Sequence, residues 1–112
     1  MNSKNYSKMK YKIEYLPSAL EELKEDIKYI NDELKNPSAA EKLGIEIINE
    51  IETLSDFPYS APHYNPIRPL LHEYRRLLIR NHFVFYWVDE KTQTITISRI
   101  INARRNIDNL LN

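Results

Sequence analysis

The chain has 112 residues, which is enough for one compact domain with a single hydrophobic core. It contains no cysteine, so a disulfide framework and a thiolate metal site are excluded, and a reducing cytoplasm is the expected compartment. No apolar run approaches the roughly 18 residues needed to cross a bilayer, and the polar N-terminus lacks the apolar core of a signal peptide. We therefore expect a cytoplasmic protein without direct membrane contact.

The net charge is zero, but the charges are divided between the two parts of the chain. Residues 1–65 carry 8 lysines, no arginine and 12 acidic residues, a net of −4. Residues 66–112 carry 7 arginines, 1 lysine and 4 acidic residues, a net of +4. A planar guanidinium group suits phosphate and carboxylate recognition, so this segregation indicates an anionic partner. Arginines that only solvate the face of a sheet would give the same pattern.

The N-terminal part predicts a short tail, a strand and the start of a helix. Residues 1–9 are polar and predict a disordered tail, which leaves residues 10–112 for a single domain. Lys10–Tyr15 alternates between apolar or aromatic and charged residues, which is typical of a half-buried strand. Ser18-x-x-Glu21 then has the form of a capping box that opens a helix.

Two amphipathic helices follow, joined by only a few residues. The first has the apolar stripe Leu20, Leu23, Ile27, Ile30 and Leu34. Its charged face, which we expect to be exposed, is Glu21, Glu22, Lys24, Glu25, Asp26 and Lys28. The second helix begins either at the capping box Ser38-x-x-Glu41 or with Asn36 as the cap and Pro37 in the first turn. So short a connection predicts an antiparallel hairpin.

The C-terminal half predicts a connector and three strands. Residues 57–69 hold four of the six prolines and predict a surface connector. Strands are predicted at Tyr74–Ile79, at His82–Val88, whose continuous apolar run indicates burial on both faces, and at Thr94–Ile101. A short helix is predicted within Asn102–Asn112. The predicted fold is α+β, an antiparallel β-sheet packed against an N-terminal antiparallel helix hairpin, in the order β-α-α-β-β-β with a short C-terminal helix.

Several kinds of site are excluded by residue type and spacing. The single glycine, Gly44, lies inside the second predicted helix, where it indicates close packing and cannot form a phosphate-binding loop. The histidines His63, His72 and His82 lack the spacing of metal ligands. We therefore expect neither a metal nor another cofactor.

The arginines of the predicted sheet are the candidate binding residues. Arg75 and Arg76 lie on opposite faces of their strand, because side chains alternate. Arg99 falls on the isoleucine face of its strand when counted by twos, so it needs a carboxylate partner or an opening to water. Arg104 and Arg105 follow the end of that strand. We predict that these side chains form a basic concavity that binds phosphate or an acidic protein segment.

The C-terminal sequence resembles a known family. Residues 74–111, YRRLLIRNHFVFYWVDEKTQTITISRIINARRNIDNLL, are similar to the C-terminal half of the RelE/ParE toxin superfamily. The residues that match its pattern are Tyr86, Val88, Asp89, Arg99, Arg104 and Arg105. The segments PSALEELKEDIKYI and NPSAAEKLGIEIINEIETLSDFP are similar to the helical hairpin of the family, so the resemblance covers residues 10–111.

The resemblance implies a growth-inhibiting toxin of a bacterial type II toxin–antitoxin module, neutralised by a cognate antitoxin and meeting operator DNA only through that antitoxin. We expect the antitoxin to place an extended or helical segment over the hairpin or along the sheet edge, with acidic residues at the basic face. ParE-like members poison DNA gyrase, whereas RelE-like members cut mRNA on the ribosome. The family resemblance alone does not select between these targets.

Two departures from the nuclease pattern favour a ParE-like toxin. Phe83 stands where those nucleases have an arginine, and the chain ends NIDNLLN, without tyrosine or histidine. The predicted target-binding residues are Arg75, Arg76, Arg99, Arg104 and Arg105. The first alternative is an mRNA endoribonuclease, for which the candidate catalytic residues are Arg76, His82, Arg99, Arg104 and Arg105, with His82 as the base. The second is a degenerate member without toxicity.

Overall fold

The computed structural model describes residues 10–66 and 71–103. Its elements in chain order are strand β1 (Lys12–Tyr15), helices α1 (Pro17–Asp32) and α2 (Pro37–Glu52), a 3₁₀ turn (Thr53–Ser55) and strands β2 (Arg75–Ile79), β3 (His82–Asp89) and β4 (Thr94–Asn102). The α+β class and the β-α-α-β-β-β order are confirmed. The predicted tail, residues 1–9, and the predicted C-terminal helix beyond residue 103 lie outside the described residues.

The four strands form one sheet in the order β1-β4-β3-β2. β4–β3 and β3–β2 are antiparallel, as expected, but β1 runs parallel to β4, so the sheet is mixed. The reason is the direction of the chain after β1. β2 is antiparallel to the connector segment that precedes it and to β3 that follows it, so β2 runs in the same direction as β4 and therefore as β1. Two tight hairpins then bring β4 back into that direction beside β1.

The two helices begin in different ways. α1 starts at Pro17 with no side-chain cap, so the predicted capping box at Ser18 is wrong. The Ser18 hydroxyl instead donates to the Ser98 carbonyl at 2.8 Å and ties α1 to β4. α2 follows the second sequence alternative, because the Asn36 side chain accepts a hydrogen bond from the Ala39 N–H at 3.2 Å and Pro37 occupies the first turn.

The main core lies between the helix hairpin and one face of the sheet. Its fully buried members include Ala19, Ile47, Ile51, Val84, Tyr86, Ile95, Ile97 and Ile100. Leu20 and Leu34, expected in the apolar stripe, are 44% and 58% exposed, because Ala19 and Leu23 face the sheet and α1 ends at Asp32. Gly44 permits close helix contact, as expected, since a Cβ there would lie 3.0 Å from the Ile27 Cδ1.

The connector covers the face of the sheet away from the helices, called the outer face below. The Tyr64 N–H donates to the Tyr74 carbonyl at 2.9 Å, and the Arg76 N–H donates to the Pro62 carbonyl at 3.1 Å. The Tyr64 ring packs edge-on against Phe85 with 5.1 Å between centroids, and Phe85 is fully buried. The prediction that the apolar strand is buried on both faces is therefore confirmed.

A bulge in β4 changes which residues share a face. Phe85 pairs with Arg99, but the next residue, Tyr86, pairs with Ile97, so Ser98 is the extra residue. Because Phe85 and Tyr86 point to opposite faces, Arg99 lies on the opposite face from Ile97. Counting by twos along the strand, which placed them together, is therefore wrong at this point.

Glu22 is buried, although the sequence pattern predicts exposure. The last backbone bond between the β1 end and β4 runs from the Leu16 N–H to the Ile97 carbonyl at 2.9 Å. Farther along β4, the Glu22 carboxylate accepts the Ile100 backbone N–H at 3.0 Å, and its two oxygens share the Arg99 Nε–H at 3.0 and 3.1 Å. Glu22 thus supplies at the open edge of β4 the hydrogen-bond acceptor that a neighbouring strand would otherwise provide.

Replacing Glu22 by alanine should therefore destabilise the fold strongly. The change removes the carboxylate that both the mostly buried Arg99 guanidinium and the Ile100 N–H bind, and losing one partner of such a pair costs about 3 kcal/mol. Urea denaturation measures this loss. The neighbouring Glu21→Ala is the matched control, because Glu21 is exposed and its loss should change the free energy of unfolding by less than about 0.5 kcal/mol. Equal stability of the two variants would contradict the role of Glu22.

Stability should also fall in alkaline solution through Tyr15. Burial raises the pKa of the Tyr15 phenol from 10.0 to about 12, and the Glu52 carboxylate acts in the same direction. The phenol therefore ionises in the unfolded chain at a lower pH than in the folded protein, so stability is lost as the pH rises above 10.0 toward 12. Denaturation at about pH 9 and about pH 11 should show a smaller loss for Tyr15→Phe than for the native chain. The exposed Tyr29→Phe is the control, and an identical loss in the native chain and Tyr15→Phe would contradict the prediction.

Candidate functional site

Two predicted arginines flank the centre of the outer face. Strand pairing places Arg76 of β2, Phe85 of β3 and Arg99 of β4 in one row across the sheet. Neighbouring strands are about 4.8 Å apart, so the two arginine backbones lie roughly 10 Å apart on the same face. Arg104 and Arg105, and the Arg68 of the connector, lie outside the described residues.

Arg76 is the arginine of this row that has no carboxylate beside it. Its guanidinium carbon lies 4.5 Å from the centroid of the Phe83 ring and 5.1 Å from that of Tyr64. Within residues 10–66 and 71–103 it forms no ion pair. Aromatic rings stabilise a cation without neutralising it, so the positive charge remains available to an anionic partner.

Arg99 is held by the protein itself. Its guanidinium binds the Glu22 carboxylate, and the two side chains are 21% and 11% exposed. The expectation that Arg99 pairs with a carboxylate is confirmed. A guanidinium in such a pair can still position a neighbour, but binding a second anion would require it to share or leave Glu22.

Arg75 points to the opposite face from Arg76, as the alternation predicts. β2 pairing places Arg75 beside Tyr86. Its Nη1 donates to the Ala61 carbonyl at 2.7 Å, and its guanidinium lies 4.9 Å from the centroid of the Tyr59 ring. The buried Tyr86 hydroxyl donates to the Pro58 carbonyl at 2.8 Å, and burial raises the pKa of Tyr86. Arg75 and Tyr86 together hold the first part of the connector in place.

His82, the base considered for a nuclease, lies toward the helix hairpin. The residue is 4% exposed, and its Nε2 is 2.8 Å from the Asp26 Oδ2. The Nδ1 has no hydrogen-bond partner among the described residues. His82 borders a cleft of about 360 Å³ between the tip of the hairpin and the start of β3, whose rim includes Tyr29 and Leu34. The imidazole is therefore on the other side of the sheet from Arg76.

The structure brings a different histidine to the outer face. The His72 ring stacks on Trp87 with 3.7 Å between centroids and an angle of 8°, and Tyr74 packs edge-on against Trp87 at 5.5 Å. Trp87 is two residues from Phe85 and shares its face, so His72 lies beside the row that contains Arg76. The alternation of Phe83, Phe85 and Trp87 could have predicted the aromatic strip. His72 lies between the connector and β2, where no periodic pattern indicates a direction.

The described part of the outer face therefore combines a guanidinium, aromatic rings and an imidazole. The guanidinium can bind a carboxylate or a phosphate, and the rings exclude water from one side of it. The imidazole of His72 is partly exposed and can accept or donate a proton. Helices α1 and α2, of 16 residues each and rich in charge, are too short and polar to span a bilayer, and no other helix in the described part of the chain could do so.

Residues 13–107 match a family model described as the ParE toxin of the type II toxin–antitoxin system, parDE. The match includes every helical and strand element described above, apart from the first residue of β1. A search of curated proteins gives no significant match.

Solved structures of toxins share the fold. A chain of the chromosomal ParDE toxin–antitoxin system from P. aeruginosa has a TM-score of 0.68 at 17% identity, covering 84% of this chain and 97% of that chain. The toxin–antitoxin complex RelBE2 from Mycobacterium tuberculosis gives 0.55 at 18% identity, covering 84% and 92%. A metal-bound toxin from Helicobacter pylori gives 0.51 at 20% identity, covering 84% and 96%. At these identities the likeness shows the fold.

Proposed function

Because the chain belongs to the ParE toxin family of type II toxin–antitoxin systems, we propose that it arrests bacterial growth by binding DNA gyrase and that a cognate antitoxin holds it inactive. The proposed compartment of action is the cytoplasm, where gyrase acts. Two of the structures with the same fold are described as toxin–antitoxin systems, which supports an antitoxin as the partner.

The environment of Arg76 is the observation that carries the proposal. Its guanidinium lies against Phe83 and Tyr64, has lost part of its hydration and has no carboxylate partner among the described residues. An acidic group of a target protein would bind the Arg76 guanidinium through charge-assisted hydrogen bonds. The surface is thus suited to binding, and the burial of His82 beside Asp26, on the other side of the sheet from Arg76, supports binding over RNA cleavage.

His72 supports a second candidate function, the endoribonuclease. A ribonuclease needs a base that takes the proton of the 2′-hydroxyl and a cation that stabilises the charge on the phosphate. The 2′-oxygen then attacks phosphorus and the bond to the 5′-oxygen breaks, which leaves a 2′,3′-cyclic phosphate and a 5′-hydroxyl that has taken its proton from water. His72 and Arg76 share the outer face, so they are the residues that would take these two roles.

The choice between the two functions should be visible after induced expression in bacteria. We expect growth arrest together with inhibition of DNA supercoiling by purified gyrase, because the proposed surface binds a protein. Primer extension on cellular transcripts should show no new ends. Arrest with intact supercoiling and cut transcripts would contradict the gyrase proposal and support the endoribonuclease. A folded chain without growth arrest would contradict both.

Arg76→Ala should relieve growth arrest without unfolding the protein. Loss of a charge-assisted contact costs about 1.5–3 kcal/mol, which corresponds to an affinity for the target weakened by about tenfold to 100-fold. The matched control is Arg80→Ala, because Arg80 follows the same strand but pairs with Glu46 of α2. Growth curves and gyrase inhibition measure the effect. Equal toxicity of the two variants would contradict the role of Arg76.

His72→Gln separates the two candidate functions at one residue. Glutamine keeps a polar side chain beside Trp87 but cannot act as a base at neutral pH. A gyrase-binding toxin should keep its toxicity to within about tenfold, whereas a nuclease that uses His72 should lose RNA cleavage by a factor of at least about 100. The readouts are the same supercoiling and primer-extension assays. Abolished toxicity together with abolished cleavage would contradict the gyrase proposal.

A further inference from the structure

One large apolar side chain of the outer face is exposed to solvent. Leu78 of the edge strand β2 is 59% exposed, and no other large apolar side chain of the four described strands is exposed. It shares the outer face with Arg76, which lies two residues before it in the same strand. Exposed residues of edge strands are commonly charged, so a leucine at this position indicates a contact surface for another molecule.

Leu78 lies beside an aromatic residue of the neighbouring strand. Strand pairing sets Leu78 opposite Phe83 of β3. The Arg76 N–H points away from β3, since it donates to the Pro62 carbonyl, and Leu78 has the same backbone orientation because it comes two residues later. Leu78 and Phe83 therefore form an antiparallel pair without mutual backbone bonds. In such a pair the side chains lie closest, with about 4.5 Å between the Cα atoms, so the two side chains form one apolar surface.

A cation borders this apolar surface and is held in place by aromatic rings. The Arg76 guanidinium carbon lies over the Phe83 ring, 4.5 Å from its centroid, and 5.1 Å from the centroid of Tyr64. It forms no ion pair with a carboxylate among the described residues. A side chain that is already ordered loses little conformational freedom on binding. Leu78, Phe83 and Arg76 are called the anchor patch below.

We propose that DNA gyrase binds the anchor patch through a segment that places an apolar side chain against Leu78 and Phe83 and a carboxylate against Arg76. Leu78 is then a specificity-determining residue of the toxin, because it selects a target that carries both groups. The inference rests on the proposed function and defines the recognition chemistry of the same surface. Arg76 and Leu78 are about 7 Å apart along the strand, a spacing close to that of residues three or four apart on a helix.

The anchor patch fits a protein segment better than a nucleic acid. Single-stranded nucleic acids bind by stacking bases on open aromatic faces. The guanidinium of Arg76 already lies over the Phe83 ring, and Leu78 has no flat face on which a base could stack. A phosphate could pair with Arg76 but would leave Leu78 in water. Only a partner with an apolar side chain next to its carboxylate uses both parts of the patch.

Leu78→Asn tests the inference, because asparagine has nearly the size of leucine but puts a polar amide into the apolar surface. The matched control is Leu34→Asn, since Leu34 is 58% exposed and lies in the connection between the two helices. The readout is the toxin concentration that halves supercoiling by purified gyrase. This concentration should rise at least about tenfold for Leu78→Asn and less than about threefold for Leu34→Asn. Leu78→Met restores an apolar side chain and should restore inhibition to within about threefold.

A double variant distinguishes a shared contact from two separate effects. If Leu78 and Arg76 engage the same segment, losing either one weakens the contact of the other. Leu78→Asn combined with Arg76→Ala should therefore weaken inhibition by less than the product of the two single effects.

Footprinting of the native chain with hydroxyl radicals makes the test independent of how well a variant folds. Gyrase should slow the oxidation of Leu78 by at least about threefold and leave Leu34 unchanged, because a bound segment excludes water from the patch. Equal inhibition by Leu78→Asn and the native chain, or no protection of Leu78, would overturn the inference and leave the proposed function intact.

Other partners for the anchor patch would be recognised in the same experiments. Cleavage of transcripts that is lost in Leu78→Asn, with supercoiling unaffected by the native chain, would assign the patch to RNA and overturn the inference. Sedimentation of the toxin alone as a dimer that Leu78→Asn dissociates would assign the patch to a second copy and also overturn it. A native chain that arrests growth but leaves gyrase active would contradict the proposed function itself.

Discussion

Glu22 extends from α1 to the edge of β4, where it accepts hydrogen bonds from the Ile100 backbone and the Arg99 guanidinium. β1 has only four residues, so it pairs with only the first part of the nine-residue β4. Beyond that point the Glu22 carboxylate accepts a backbone N–H at the unpaired edge of β4, and the same contact fixes the helix hairpin against the sheet. One side chain thereby sets the position of α1, accepts a backbone N–H of a central strand and neutralises the Arg99 guanidinium.

The division between the two faces of the sheet follows from this arrangement. The helices and the first part of the connector cover one face, and the later part of the proline-rich connector and aromatic residues cover the other. Phe83 and Tyr64 stabilise the Arg76 cation on that face, because aromatic rings attract a positive charge without neutralising it. The face that contributes less to the main core is thus the one on which recognition of a partner is proposed. His82 and Asp26 are bonded to each other on the helix side, away from that face.

The fold was largely predictable because each element carries its own local pattern. The helix hairpin follows from apolar spacing, the Asn36 cap and the prolines, and the strands follow from alternation and short polar turns. The exposed Leu20, the buried Glu22 and the bulge at Ser98 were not predictable, since each depends on a partner distant in sequence. The candidate site shows the same limit. Alternation separated Arg75 from Arg76, but nothing in the sequence just before β2 indicated that His72 would stack on the sheet.

Pro62 limits how far the connector pairs with the free edge of β2. A segment tethered beside an edge has a high effective concentration and would normally outcompete any separate molecule for the same hydrogen bonds. Because the Pro62 nitrogen carries no hydrogen, the hydrogen bonds between the connector and β2 end at Arg76. Among the described residues, the outward backbone groups of Leu78 have no backbone partner. One residue without an amide hydrogen thus sets how far the chain closes its own sheet along β2.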